Sequence, residues 1–286
     1  MTDVYIQRIG TPGTGDVLFP DAAMDMGTLA LVDTIDGWPW ASGSPPVAGA
    51  ALSAATTLKN YALLEDGHAE DPAMLVDATT YGNGAIAVTG TKRLQLPVAF
   101  NPLPGMSDVG IIHWFSHVPD PAATGFNNSL FGAASSTGVL QYRLVPTYGT
   151  VGVLTTLEFR IVGRAATLVA STALRTAIAS GVPLQFGIRV TRDYTGSLAR
   201  IQFYLNGVLL QDSGWAATTA DWTALGAGAM AFVGRDGALP GTGLNGRVWR
   251  SIVQDLTVAN TASMDVLVAR DYTQNAARIA AAAALP

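Results

Sequence analysis

Residues 199–210, ARIQFYLNGVLL, restrict the possible folds of this chain more than any other segment. Apolar and polar residues alternate up to Asn206-Gly207, and an apolar run follows. Asn and Gly both accept the positive φ that a two-residue type I′ turn demands, so this pair between such flanks predicts a β-hairpin. An isolated hairpin is not stable in water, so further strands are required. Segments of strand character recur at residues 84–89, 93–96, 111–117, 129–132, 141–144, 157–162, 184–191, 230–234 and 246–257. About ten short strands at this spacing predict a sandwich or a barrel.

Composition supports an all-β chain. Among 286 residues, 31 Gly and 15 Pro supply dense turn punctuation, and a hydrophobic content of 49% excludes overall disorder. Charged residues make up only 13%, so the surface must be built largely from Thr, Ser, Asn, Gln and Gly, as suits a protein packed in an assembly. Residues 263–285, rich in Ala, predict a terminal helix with Ser263 as its N-cap. The absence of Cys excludes disulfides and thiolate metal sites. The chain has no uncharged run of 18 apolar residues, hence no predicted membrane helix, and no signal-peptide pattern at its start. Synthesis in a bacterial cytoplasm is the expectation.

The net charge of −5 is unevenly spread. Residues 1–80 carry Arg8 and Lys59 against eleven acids, a balance of −9, and the remainder sums to +4. With its many Pro and Gly, the first segment reads as an irregular acidic arm containing one strand near 28–32, set on a mildly basic body. No Lys/Arg cluster exists to follow successive phosphates, which argues against nucleic acid. Trp38-Pro-Trp40 sits in this arm. These indoles either fold back as a plug or anchor the arm in a neighbouring subunit.

The order of the strands resembles concanavalin A-like and laminin G-like jelly rolls. Residues 111–115, 129–132, 184–191, the 201–210 hairpin, 232–234 and the closing strand 244–258 (LNGRVWRSIVQDLTV) follow the pattern of those domains. Gln185-Phe186 stands where a Trp is usual before the hairpin. The resemblance implies a jelly-roll sandwich over residues 81–272, with residues 1–80 as a docking arm and 273–286 as a helical tail. It also implies a glycan-binding surface of aromatic and polar loops. Trp215 and Trp222, with Asp212 and Asp221 beside them in the segment after the hairpin, are the expected sugar-stacking residues.

Catalytic chemistry finds little to use. Glycosidases of this superfamily place paired carboxylates on one strand, and here Glu158 stands alone between Leu157 and Phe159. His113 and His117 share a strand face and could both ligate a metal, but no third ligand lies nearby, so neutral histidines at a sheet surface are expected. No cofactor motif is present, and the chain is expected not to be an enzyme. Two function classes remain. One is a structural component of a bacteriophage or phage-like virion, multicopy, docked through its arm to capsid, tail or baseplate proteins and showing a lectin-like domain to host glycans. The alternative is a free carbohydrate-binding lectin-like module.

Overall fold

The computed structural model describes residues 21, 23–62, 71–90, 92–101, 106–123, 125–126, 129–134, 140–149, 152–161, 168–218, 230–234 and 243–284. In chain order the strands are β1 (Thr28–Asp33), β2 (Ala51–Leu52), β3 (Thr57–Leu58), β4 (Ala73–Leu75), β5 (Thr79–Gly82), β6 (Ala85–Val88), β7 (Arg93–Leu96), β8 (Asp108–His117) and β9 (Gly125–Phe126). They continue as β10 (Phe131–Ala134), β11 (Leu140–Tyr148), β12 (Leu154–Ile161), β13 (Leu168–Val169), β14 (Leu184–Asp193), β15 (Leu198–Leu205), β16 (Val208–Ala217), β17 (Met230–Gly234) and β18 (Gly246–Asp255). Two helices are described, α1 (Thr172–Ile178) and α2 (Met264–Ala283).

The fold is an all-β, jelly-roll-like sandwich of two nine-stranded antiparallel sheets. The first runs β16-β15-β14-β8-β18-β6-β5-β2, and the second β13-β12-β11-β10-β17-β7-β4-β3 with β9 on β11. Strand β18 has a divided edge: its first residues pair with β6 and its later ones, from Arg250 to Gln254, with β1. The hairpin predicted at Asn206-Gly207 joins β15 to β16, and φ is 49° at Asn206 and 86° at Gly207, as a type I′ turn requires.

Alternation along β8 explains the layering. Val109, Ile111 and Phe115 point into the core between the sheets, where Phe131, Phe159, Phe186 and Phe203 pack with edge-on and tilted rings. Ile112 and Trp114 point the other way into a second core, shared with Met264, Leu267, Val268 and Ile279 of α2. Ser263 takes the N-cap position of α2, although its side chain makes no capping hydrogen bond. Gly110 lets the helix come close, since a Cβ there would lie 2.7 Å from the Met264 sulfur. The first sheet is therefore buried on both faces along much of its length.

A charged cluster lies inside that second core. Arg250, fully buried, directs Nε to Asp271 (2.9 Å), Nη1 to Asp33 (2.8 Å) and Asp21 (2.8 Å), and Nη2 to Asp21 (2.7 Å). A bulge at Trp249 turns both Trp249 and Arg250 to this face. Asp271 also accepts from Trp114 Nε1 (2.6 Å), Gln185 Nε2 (2.7 Å) and Asn275 Nδ2 (2.9 Å). Arg278 joins from α2, pairing with Asp33 and with Asp36 (2.7 Å). Burial works against ionising Asp21, but the Arg250 guanidinium outweighs it and holds that carboxyl below its ordinary range.

This cluster bears on the reading of residues 1–80 as a docking arm. From Asp21 onward the described residues of the segment pack into the sandwich, where its acids pair with Arg250 and Arg278, and Asp25 pairs with Arg270 (3.5 Å). The segment keeps its irregular loops, but β1 pairs with β18 on the edge that strand shares with β6, and β2 to β5 serve both sheets. The boundaries expected at residues 80 and 272 fall inside β5 and α2. Trp40 takes the role of a plug: only 3% exposed, it donates Nε1 to the Thr34 carbonyl (3.1 Å) and meets Tyr81 edge-on. Trp38 is half-buried on Tyr61 at 4.7 Å, with Lys59 above its ring.

Removing Arg250 leaves three carboxylates facing one another in a dry core. Arg250→Met is expected to cost about 3–5 kcal/mol or more in denaturant unfolding. A loss below about 1 kcal/mol would contradict the role assigned to this cluster.

Candidate functional site

The outer face of the first sheet is covered by α2 only in part. Beyond Met264 the sheet is open, and there the outward residues of β8, β14, β15 and β16 form two polar rows. Asp108, Thr191, Arg200 and Trp215 lie across the sheet in one row, while Arg189, Gln202 and Asp212 form the next. Directly opposite residues share a face, so these side chains present a common surface.

Two Arg–carboxylate forks hold this surface. Arg189 donates Nε (2.9 Å) and Nη2 (2.6 Å) to the two oxygens of Asp108. Arg200 grips Asp212 through Nε at 2.9 and 3.0 Å and through Nη2, and Gln202 adds a donor at 3.3 Å. The hydrogen bonds that Arg189 donates to Asp108 raise it further above its ordinary pKa, and those that Arg200 donates to Asp212 do the same for Arg200. The bond from Arg200 in turn lowers Asp212. Tyr204, beneath the first turn of α2, is pushed up to about 12, first by burial and then by the Asp265 carboxylate. Near neutral pH Arg189, Arg200 and Asp212 are therefore charged and Tyr204 is neutral, so they offer fixed donors and acceptors.

Trp215 stands at the edge of this surface, 48% exposed. It and Asp212 were expected in a loop; both belong to β16. An unbroken two-residue hairpin would set Asp212 opposite Ile201, whose side chain faces the inter-sheet core. Two bulges, one at Leu210 and one at Ser213-Gly214, shift the pairing to Gln202↔Asp212 and Arg200↔Trp215. Gly214 supplies the positive φ of 64°, and Ser213 fills the gap by accepting from the Ile201 amide (2.9 Å). Together the bulges turn Asp212 to the outer face and keep Trp215 there. Trp222 and Asp221 lie outside the described residues. Sequence reasoning missed Arg200, Gln202, Arg189, Thr191 and Asp108; the polar phase of the β15 alternation marked the first two, while the others needed the strand order.

His113 and His117 are not surface residues, as had been expected. Both are 1% exposed, facing the inter-sheet core. His113 Nδ1 meets Ser251 Oγ at 2.9 Å and its ring lies 4.5 Å from Phe131. His117 Nδ1 accepts from the Asn245 amide (3.1 Å), which leaves Nε2–H to donate to Tyr148 Oη (2.8 Å). Burial pushes His113 down to about 3 and His117 to about 4. Glu158 is paired with Arg160 at 2.8 Å. Among the described residues no group of three His, Asp or Glu side chains could hold a metal ion, and no helix is long and apolar enough to cross a membrane.

No protein-family model and no curated protein matches the chain. Solved structures do. Trypanosoma rangeli sialidase in complex with sialic acid aligns with a TM-score of 0.51 at 10% identity, covering 91% of this chain and 34% of that chain. The same sialidase with 2,3-difluorosialic acid as covalent intermediate aligns at 0.54 and 10% identity, over 94% and 36%. Ruminococcus gnavus IT-sialidase CBM40 aligns at 0.41 and 13% identity, over 65% of this chain and 95% of that one. This chain therefore spans about a third of the sialidase chains, and the likeness to them is one of fold.

The buried histidines set an acid limit. Both folded-state pKa values lie below the unfolded value of 6.5, so between pH 6.5 and about 4 the unfolded chain binds more protons and stability falls as pH falls. Each histidine is expected to cost about 2 kcal/mol by about pH 5. Urea unfolding at about pH 7 and pH 5 checks this, and equal stability at both would contradict neutral burial of the two rings.

Proposed function

We propose that this protein is a carbohydrate-binding β-sandwich module, whose ligand surface is the open outer face beside α2. The observation that carries this reading is the exposed indole of Trp215, aligned with Arg200 and Asp212 on one polar face. An indole face offers contact area to the C–H side of a sugar ring at low entropic cost, and the adjoining guanidinium and carboxylate complement ring hydroxyls. The concanavalin A-like resemblance and the fold shared with sialidase structures that hold sialic acid support the same reading. The face has no reactive group set against another, so it binds rather than cleaves. Membership of a virion, reached through a free acidic arm, is the weaker reading, since from Asp21 onward that segment is spent on Arg250, Arg278 and the two sheets.

A shallow face of this kind predicts weak single-site affinity, on the order of 0.1–1 mM, raised in practice by several copies acting together. A glycan array probed with multimerised protein should identify a ligand, and Trp215→Ala should reduce binding by roughly tenfold or more at unchanged circular dichroism. Unaltered binding by that variant, or no binding by the wild type to any glycan, would sink the proposal.

A further inference from the structure

A second concave feature lies at the other end of β8. Asp108 belongs to the Trp215 face, whereas His117 closes this ten-residue strand at its other end, about 30 Å away at the usual rise. There a cleft of about 680 Å³ opens between α1, the turn around Pro119 and Pro121, and the start of β12. Its walls are tied together by backbone hydrogen bonds. The Gly181 amide donates to the His117 carbonyl (3.0 Å), the Gly152 amide to Ala123 (3.0 Å) and the Val118 amide to Asn245 (2.8 Å). Gly152, with a φ of 75°, lies so close to Pro121 that a Cβ would come within 3.1 Å of its Cα. The cleft is preformed, which keeps the ordering cost of binding low.

Its lining is chemically lopsided. Pro119, Pro121 and Val153 give an apolar wall, with Val153 53% exposed. Opposite stand the hydroxyls of Thr172 and Thr176 and the guanidinium of Arg175. Among the described residues Arg175 bonds to neutral oxygens, Nη1 to the Ala170 carbonyl (3.0 Å) and Nη2 to Thr172 Oγ1 (3.1 Å). Arg160, Arg189, Arg200, Arg250, Arg270 and Arg278 each hold a carboxylate; none of the described carboxylates pairs with Arg175. Asp120, between the two prolines, directs Oδ1 to the Ala122 amide (2.8 Å). A guanidinium carries five donors, so Arg175 retains N–H groups and a full positive charge beside hydroxyls and an apolar shelf.

We propose that this cleft is a ligand site for a small polyhydroxylated carboxylate, a sugar acid, whose carboxylate pairs with Arg175 while its ring lies on the Pro119–Val153 wall. The site is separate from the Trp215 face and does not depend on it. The test titrates the full chain with D-glucuronate and D-glucose, which differ only by a carboxylate, using amide NMR shifts at low salt. Glucuronate is expected to bind at least about tenfold more tightly than glucose and to weaken as salt is raised. Arg175→Gln and, independently, Thr176→Asp, which sets a carboxylate at an exposed helical position, are each expected to bring glucuronate down to the glucose level. Trp215→Ala is expected to leave it unchanged. Equal affinity for the two sugars, no saturable glucuronate binding, wild-type affinity in both cleft variants, or loss in Trp215→Ala would each overturn the assignment.

Discussion

The fully buried guanidinium of Arg250 is the constraint around which the chain is arranged. Taking a cation and its carboxylates out of water costs several kcal/mol per ion, and only near-complete pairing recovers that cost. The partners come from Asp21, from Asp33 on β1 and from Asp271 on α2, so the arginine is satisfied only when three distant stretches converge on β18. Apolar burial is non-directional and would accept α2 in several rotations. The forks at Arg250 and Arg278, with Trp114 and Gln185 donating to Asp271, define one orientation. That orientation leaves the outer face of β15 and β16 open beyond Met264, so the cluster leaves room for the surface proposed as the ligand site without belonging to it.

The same cluster accounts for the charge asymmetry along the chain. An acidic first segment and a basic remainder suggest two parts with different partners, but the acids of residues 21–36 are countered by Arg250, Arg270 and Arg278 of the same chain. Sequence pattern cannot show this, because pairing between residues more than 200 positions apart leaves no local signal. Long strands with clear alternation were legible, among them β8, β14, β15 and β18, as were the Asn206-Gly207 turn and the terminal helix. The short strands β2 to β5 were not, since partners across the sheet rather than their own residues make them strands, whereas the equally short β6 and β7 were marked by their own alternation. The seven-residue α1, which walls the Arg175 cleft, was missed because it is too short for helical periodicity to show.

The candidate surface was half legible. Trp215 and Asp212 were identifiable as residue types suited to sugar recognition, but their common face depends on two bulges that the sequence marks only by Gly214. Trp40 shows the opposite case. Its residue type suited either a plug or an anchor for a partner, and its Nε1 finds the Thr34 carbonyl inside the chain's own core. A large aromatic in a Pro/Gly-rich loop carries no label for which body it will be buried in.

The bulges also bear on how such a surface can change over evolutionary time. At each one an extra residue of β16 stands where β15 supplies one fewer, so the strand holds slack on both sides of Asp212. Loss of Leu210, or of one residue of the Ser213-Gly214 pair, straightens the ladder and still leaves Asp212 across from Gln202 and Trp215 across from Arg200. Single-codon deletions there are absorbed as geometry instead of inverting the strand. The edge strand that carries Asp212 and Trp215 is thereby a length buffer, free to vary in size while its chemistry stays in register.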